Sequence, residues 1–308
     1  MRVFNLLSAA LLFATATSCT LDKTDYEAEI STKVTEYYEF KEAVAINSGT
    51  YKISIEALNG TFYKGYNEIR LKIINTQTNE ALKNAAISFL PIKSDSEGKK
   101  TSCPHEYHLI YQNDKDYYSG YAVFTAESNP SHEWQLYITF AVHGETISLN
   151  TTIPVEQQSN KNLNMTSFTG SDNSQYIIAL VAPQKPKVAE NELVAGIYRY
   201  VEPPNSAETF PDPSQFTFEE VSGFTLKLDP RMPEPSMGNH SSPNNRDLVQ
   251  LNDQFYHGIV NYTMTGNWTL NFIMLNENGK IIKGTEVSKD FTPGVEGTKS
   301  ELFIDILF

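Results

Sequence analysis

The chain has 308 residues, a formal net charge of -13 at pH 7 and 12% aromatic residues. This length predicts two domains of about 100–150 residues each. The excess of acidic residues argues against nucleic acid as a partner, because nucleic-acid recognition needs a basic face. After the N-terminus, no stretch is long and apolar enough to span a bilayer.

The N-terminus has the organisation of a secretory signal. Met1 and Arg2 give a short positive end, residues 3–16 are mainly apolar, and Ala16-Thr17-Ser18 supplies small residues before Cys19. The apolar stretch is too short for a membrane span, so residues 1–18 are predicted to be a signal peptide and are excluded from the fold.

The end of this signal resembles a bacterial lipobox, although Ala16 stands where Leu is commoner. The resemblance implies cleavage before Cys19 and lipid attachment to its thiol. The alternative is an ordinary cleaved signal in which Cys19 has no role. The abundance of Tyr, Asn and Thr resembles lipoproteins of the Bacteroidetes type, which implies a lipid anchor in the outer membrane of a bacterial envelope. Without Cys19, Cys103 is the one remaining cysteine and no intrachain disulfide is expected.

The next segments are predicted to be a tether and a first β-domain. Residues 19–45 are rich in charge and poor in large aliphatic side chains, which favours a tether. Residues 46–157 then alternate apolar and polar side chains with a period of two, as half-buried strands do. The clearest of these predicted strands lie at 51–56, 67–74, 85–90, 116–125, 134–140 and 147–155. Short strands separated by turn signals are typical of an immunoglobulin-like sandwich.

The second half of the chain repeats the first. Residues 158–174 are rich in Asn, Ser and Thr and are predicted to be a linker. Within residues 175–308, the segment 252–258 matches 113–120, and Trp268 begins an alternating strand as Trp134 does. Such coincidences in one order indicate tandem copies. The predicted fold is therefore all-β, with two tandem immunoglobulin-like antiparallel β-sandwiches and both tryptophans in their cores.

One third of the chain carries a family resemblance. A Pro/Gly-broken loop containing Met232 and His240 is followed by an aromatic-Gly strand at 255–258 and by a Gly266-Asn267-Trp268 hairpin. These features resemble the YtkA-like family, small β-sandwich domains of bacterial envelope proteins. Through the internal repeat the resemblance extends more weakly to the first half. It implies a metal-handling context for the loop.

Several side chains in and after this loop are candidate ligands for a soft metal: Met232, Met237, His240, His257 and Met264. Thioether sulfur and imidazole nitrogen suit copper, especially Cu(I). Two prolines limit the conformations of the loop and favour bringing the first three side chains together. The alternative is that the methionines fill gaps at the end of the core, a role that suits their flexible side chains.

The equivalent loop of the first half offers a second candidate set, Cys103, His105 and His108. A thiolate and two imidazoles suit copper or zinc. The alternative is a cysteine that is simply buried.

The sequence lacks the short signatures of hydrolases, zinc proteases and phosphate-binding loops, so it is not predicted to be an enzyme. We therefore predict a non-catalytic envelope lipoprotein that binds copper through its Met/His loops. The alternative is a structural or protein-interaction module of an outer-membrane assembly without a metal role. In that case exposed loops, such as the Pro-rich residues 202–214, contact an envelope protein.

Overall fold

The computed structural model describes residues 38–159, 161–203 and 217–307. Strands form nearly all the regular structure of these ranges, and one 3-10 turn at Pro235–Met237 is their sole helical element. The predicted all-β class is confirmed. The predicted signal peptide, Cys19, most of the tether and most of the Pro-rich loop lie outside the described residues. Within the described ranges, no helix has the length and apolar character that crossing a membrane requires.

Two groups of strands follow each other along the chain. The first group is β1 (Phe40–Ser48), β2 (Tyr51–Leu58), β3 (Phe62–Tyr63), β4 (Gly65–Asn75), β5 (Glu80–Ala81), β6 (Ile87–Asp95), β7 (Lys100–Ser102), β8 (His108–Gln112), β9 (Tyr117–Phe124), β10 (His132–Val142), β11 (Glu145–Ile153) and β12 (Val155–Glu156). The second group is β13 (Met165–Thr169), β14 (Gln175–Ala182), β15 (Glu190–Tyr200), β16 (Phe218–Glu220), β17 (Thr225–Met232), β18 (His240–Ser241), β19 (Arg246–Gln250), β20 (Tyr256–Asn261), β21 (Asn267–Leu275), β22 (Ile281–Lys283) and β23 (Phe303–Leu307).

The two groups pair their strands in the same order. Hydrogen-bonded neighbours run β1-β2-β4-β9-β8-β6-β10-β11 in the first and β13-β14-β15-β20-β19-β17-β21-β22 in the second. Position by position, the two paths visit corresponding strands. All pairs along both paths are antiparallel, whereas the short β3 and β12 pair in parallel.

The predicted alternation holds in the strands where it is clearest. In β4 every second residue from Gly65 to Ile73 is buried. In β10 the inward positions carry Trp134 and three further apolar side chains that are at most 1% exposed. Trp134 and Trp268 both lie in hydrophobic cores, as predicted, because alternate side chains of a strand point to the same face.

Corresponding positions of the two halves also make the same hydrogen bonds. The side chain of Asn67 bonds to the backbone of residues two and four positions earlier, and Asn191 does the same. The indole N–H of each tryptophan donates to a loop carbonyl, that of Ala126 or that of Met264. The two halves therefore share local geometry as well as strand order.

Two predicted boundaries differ from the structure. β1 begins at Phe40, inside the predicted tether, and pairs with β2 over its whole length. β13 lies inside the predicted linker and pairs with β14. Both are outermost strands of their sheets, and edge strands that face water on one side carry the polar side chains that a tether or linker would also carry. Composition alone therefore did not distinguish them from irregular chain.

The halves meet at an aromatic cluster that the sequence analysis did not predict. Tyr66 and Tyr121 stack with ring centroids 5.6 Å apart, and Phe255 packs edge-on against Tyr121 at 5.9 Å. Tyr121 also donates a hydrogen bond to Glu220, at 2.9 Å, and packs in one cluster with Tyr198. The outer face of β4 and β9 is thus covered by the second half of the chain.

Candidate functional site

Two of the predicted soft-metal ligands are neighbours in the fold. The loop of residues 233–239 closes a hairpin in which Met232, the last residue of β17, is the cross-strand partner of His240 in β18. Met232 is 2% exposed and belongs to the core of the second half. Gly266 lies against its end, since a Cβ added there would be 2.8 Å from the Met232 Cε. The Met232 side chain therefore faces the core, and its sulfur does not point toward solvent, where a metal ion would bind.

The other candidate ligands near this loop also have contacts within the protein or lie at its surface. The Nε2 of His240 lies 2.8 Å from the hydroxyl of Thr263, and its ring packs edge-on near Trp268. Met237 is partly buried against the same core. Met264 follows Thr263, and its side chain is 36% exposed. The structure thus gathers these side chains at one end of the second half, with the methionine sulfurs divided between core and surface.

Hydrogen bonds to a distant segment hold the loop in place. The side-chain amide of Asn239 donates to the carbonyls of Ser288 and Asp290, at 3.0 and 3.3 Å. The backbone N–H of Gly297 donates to the carbonyl of Pro233 at 2.7 Å. Asn239 therefore fixes the loop conformation, and its side-chain N–H groups are already committed.

His257 lies apart from this cluster. It stands near the start of β20, whereas Thr263, the partner of His240, follows the end of the same strand. A strand advances about 3.3 Å per residue, which separates the two positions by roughly 20 Å. Both ring nitrogens of His257 are taken, Nδ1 at 2.8 Å from Glu192 and Nε2 at 2.9 Å from Asp253. His257 is therefore too far from His240 to share a metal ion with it, contrary to the prediction.

The two carboxylates make His257 sensitive to pH. Burial opposes the charged imidazolium, but the hydrogen bonds to Glu192 and Asp253 outweigh it and raise the pKa of His257 above its usual value. A raised pKa means that the folded state binds the proton more tightly than the unfolded state. The resulting stability is fully present below the unfolded pKa, near 6.5, and is lost as pH rises through the folded pKa.

We therefore expect His257→Gln to lower the free energy of unfolding by about 1 kcal/mol at pH 5.5 and by much less at pH 9. Urea denaturation at the two pH values measures this difference. The matched control is His108→Gln, which makes the same replacement at an exposed residue of β8 and measures the cost of losing a histidine side chain outside the ion pair. An equal loss at both pH values would contradict the ion-pair explanation.

The second predicted ligand set, Cys103, His105 and His108, does not form a metal site in the structure. Cys103 is 1% exposed inside the core of the first half, and burial raises the pKa of its thiol well above the usual range. His105 donates from Nδ1 to the carbonyl of Cys103 at 2.6 Å, and burial lowers its pKa to about 4. His108 is exposed on β8. Among the described residues, no three His, Cys, Asp or Glu side chains are arranged to hold a metal ion.

Two carboxyl groups near the junction of the halves, Glu106 and Glu220, were not among the predicted site residues. Burial, together with the nearby Glu220, raises the pKa of Glu106. Glu220 accepts the hydrogen bond of Tyr121. The available signal was that Tyr66 and Tyr121 occupy outward-facing positions of strands whose alternate residues form the core. Large aromatic side chains at outward positions indicate a covered face.

Comparisons with known proteins leave the family open. No family model matches the chain, and no curated protein matches it. One solved structure to which it is similar is the crystal structure of a "conserved domain protein" from Bacillus anthracis, with 10% identity and a TM-score of 0.30. That alignment covers 89% of this chain and 93% of the other. A TM-score this low supports no argument about fold or function, and the YtkA-like resemblance stays a hypothesis.

Proposed function

We propose that the chain is a non-catalytic, lipid-anchored interaction module of a bacterial cell envelope, built from two tandem immunoglobulin-like sandwiches of YtkA-like type. The strand order carries the fold part of this proposal. If β2, β4, β6, β8, β9, β10 and β11 are named A to G, their neighbours run A-B-E-D-C-F-G, with a short pairing of β8 and β6 joining D to C. The stretches A-B-E-D and C-F-G have the strand order of the two sheets of the constant-type immunoglobulin sandwich, which supports this fold. The second half follows the same order from β14.

The engagement of the candidate ligands favours an interaction role over a metal role. Met232 packs in a core, His257 holds two carboxylates, and Cys103 is buried with a thiol that resists ionisation. Soft-metal sites need thioether, thiolate or imidazole groups that are free to turn toward a shared ion. We take Met232, Met237 and Cys103 to be residues that pack the ends of the sandwich cores.

The anchor in this proposal is the lipidated Cys19. Residues 20–39 separate it from β1, a length that allows the sandwiches to stand clear of the membrane surface. Fractionation of cells that express the full chain tests the anchor. The unaltered protein is expected in the membrane fraction and Cys19→Ser in the soluble fraction. Equal distributions would support the ordinary cleaved signal.

One observation favours copper binding as a second candidate function. Met232 and His240 are cross-strand partners, so a thioether and an imidazole lie on neighbouring strands. A copper role would require Met232 to leave the core and His240 to give up its contact with Thr263. Met264, exposed at the same end, is a further donor for such a site.

Equilibrium dialysis of the full chain against Cu(I) separates the two candidates. Under the interaction proposal, the unaltered protein and the double variant Met232→Leu, His240→Ala bind Cu(I) equally and weakly. A matched control is Met274→Leu, which changes another buried methionine of the same core. If the double variant alone loses stoichiometric Cu(I), the copper function replaces the interaction proposal.

A further inference from the structure

A cleft of about 520 Å³ lies where the two halves of the chain meet. The first half contributes the β6–β7 hairpin and Thr125, and the second contributes β13, the start of β14 and the rings of Tyr200 and Phe218. Beside the cleft, the hydroxyl of Ser102 lies 2.8 Å from both the backbone nitrogen and the Oγ1 of Thr217. The volume falls within the range of about 300–1,000 Å³ that is usual for small-molecule sites.

The described lining of the cleft carries positive charge in a strongly acidic protein. Two lysines, Lys93 and Lys99, line it, and none of the described lining residues is a carboxylate. In the described part of the chain neither lysine forms an ion pair. The nearby carboxylate of Asp95 accepts hydrogen bonds from the backbone N–H groups of Glu97 and Lys99. Both bonds go to the same oxygen of Asp95, so this carboxylate keeps its charge near Lys93 but does not line the cleft.

Lys93 is the better placed of the two ammonium groups. It shares the inward-facing positions of β6 with Ile87 and Phe89, which belong to the core, and it is half-buried. Burial lowers its pKa, an effect that the charge of Asp95 only partly offsets. Its one direct hydrogen-bond partner in the cleft, the hydroxyl of Thr125, lies 3.4 Å away. A desolvated ammonium with one long hydrogen bond gains from pairing with an anion.

Aromatic rings and hydroxyl groups form the rest of the lining. Tyr200 and Phe218 pack edge to face with ring centroids 5.6 Å apart, whereas the rings of Phe168 and Tyr176 belong to the core of the second half. Side-chain hydroxyls from both halves stand among these rings, one of them on Ser167. Ring faces cover the C–H face of a ligand, and hydroxyls bond to its polar edge. A ligand that uses both is cyclic and rich in hydroxyl groups.

We propose that this cleft binds an acidic saccharide, a sugar whose ring carries a carboxylate. The carboxylate pairs with Lys93 and Lys99, the sugar hydroxyls bond to the lining hydroxyls, and the ring packs against Tyr200. A simple inorganic anion would leave the aromatic rings uncovered, and a neutral sugar would leave the ammonium groups unpaired. This inference goes beyond the envelope role proposed above and does not depend on it.

Isothermal titration of the full chain with a disaccharide of galacturonic acid, beside the neutral galactose disaccharide of the same linkage, tests the proposal. We expect the acidic disaccharide to bind at least about tenfold more tightly. Lys93→Gln and Lys99→Gln should each weaken it about tenfold, whereas Lys93→Arg should keep most of the affinity. The matched control is Lys100→Gln, because Lys100 is the neighbour of Lys99 but does not line the cleft.

Lys99 is exposed, so its replacement tests the site without a threat to folding. The proposal is overturned if neither disaccharide binds, if both bind equally, or if Lys99→Gln and Lys100→Gln bind alike. Tighter binding of an acidic peptide than of the acidic disaccharide would also overturn it, because the site would then serve a protein ligand.

Discussion

Replacement of Trp268 by alanine is expected to lower the free energy of unfolding by about 3–5 kcal/mol. The indole is fully buried in the core of the second half, and its N–H donates to the carbonyl of Met264 at 3.0 Å. The substitution removes the largest side chain of that core and leaves a cavity that a packed sandwich cannot close. The midpoint and slope of urea denaturation give the change in unfolding free energy.

Two variants control for this result. Phe291→Ala removes an aromatic side chain that is 49% exposed, and we expect it to change the free energy of unfolding by less than about 0.5 kcal/mol. Trp134→Ala makes the equivalent change in the first half, and a loss of similar size is expected there. If Trp268→Ala lowered the free energy of unfolding no more than Phe291→Ala does, the indole would not be a central residue of the core.

Replacement of Tyr121 by alanine is expected to uncouple the two halves. Tyr121 is 8% exposed, touches aromatic rings of both halves, and donates its hydroxyl to Glu220. Loss of a buried aromatic side chain lowers the free energy of unfolding by about 3–5 kcal/mol. Here the lost contacts are those that hold the two halves together. In differential scanning calorimetry, we expect the unaltered chain to unfold in one transition and Tyr121→Ala to unfold in two.

The controls for uncoupling keep either the ring or the junction. Tyr121→Phe retains the ring contacts and loses one hydrogen bond, so a single transition at slightly lower temperature is expected. Tyr111→Ala removes a ring that packs on Tyr118 inside the first half, and it should destabilise that half without separating the transitions. An unchanged single transition in Tyr121→Ala would show that other contacts couple the halves.

The junction gives the proposed module a defined geometry. Because Tyr121, Glu220 and the bonds between Ser102 and Thr217 join the halves, the cleft between them has fixed walls. Ligand sites often lie at boundaries between packed units, where two surfaces supply groups that neither holds alone. A ligand in the cleft is therefore expected to stabilise the contact between the halves as well as to occupy it.

The soft-metal hypothesis depended on side-chain directions and long-range partners that only the fold determines. The sequence located Met232 and His240 in one loop, and the structure makes them cross-strand partners. It did not reveal that the Met232 side chain faces the core, because the direction of a loop residue depends on the register of the hairpin that the loop closes. Nor did it reveal the partner of His257, because Glu192 is 65 residues away along the chain.

What the sequence determined by itself is local. Its period of two located most of the strands, assigned Trp134 and Trp268 to cores, and fixed the all-β class, since neighbouring side chains of a strand alternate between faces. The tertiary structure alone decided which outer faces are covered, as at Tyr121, and which polar groups meet, as at Lys93 and Thr125. Those contacts join residues far apart in the chain, and no local pattern encodes the packing that brings them together.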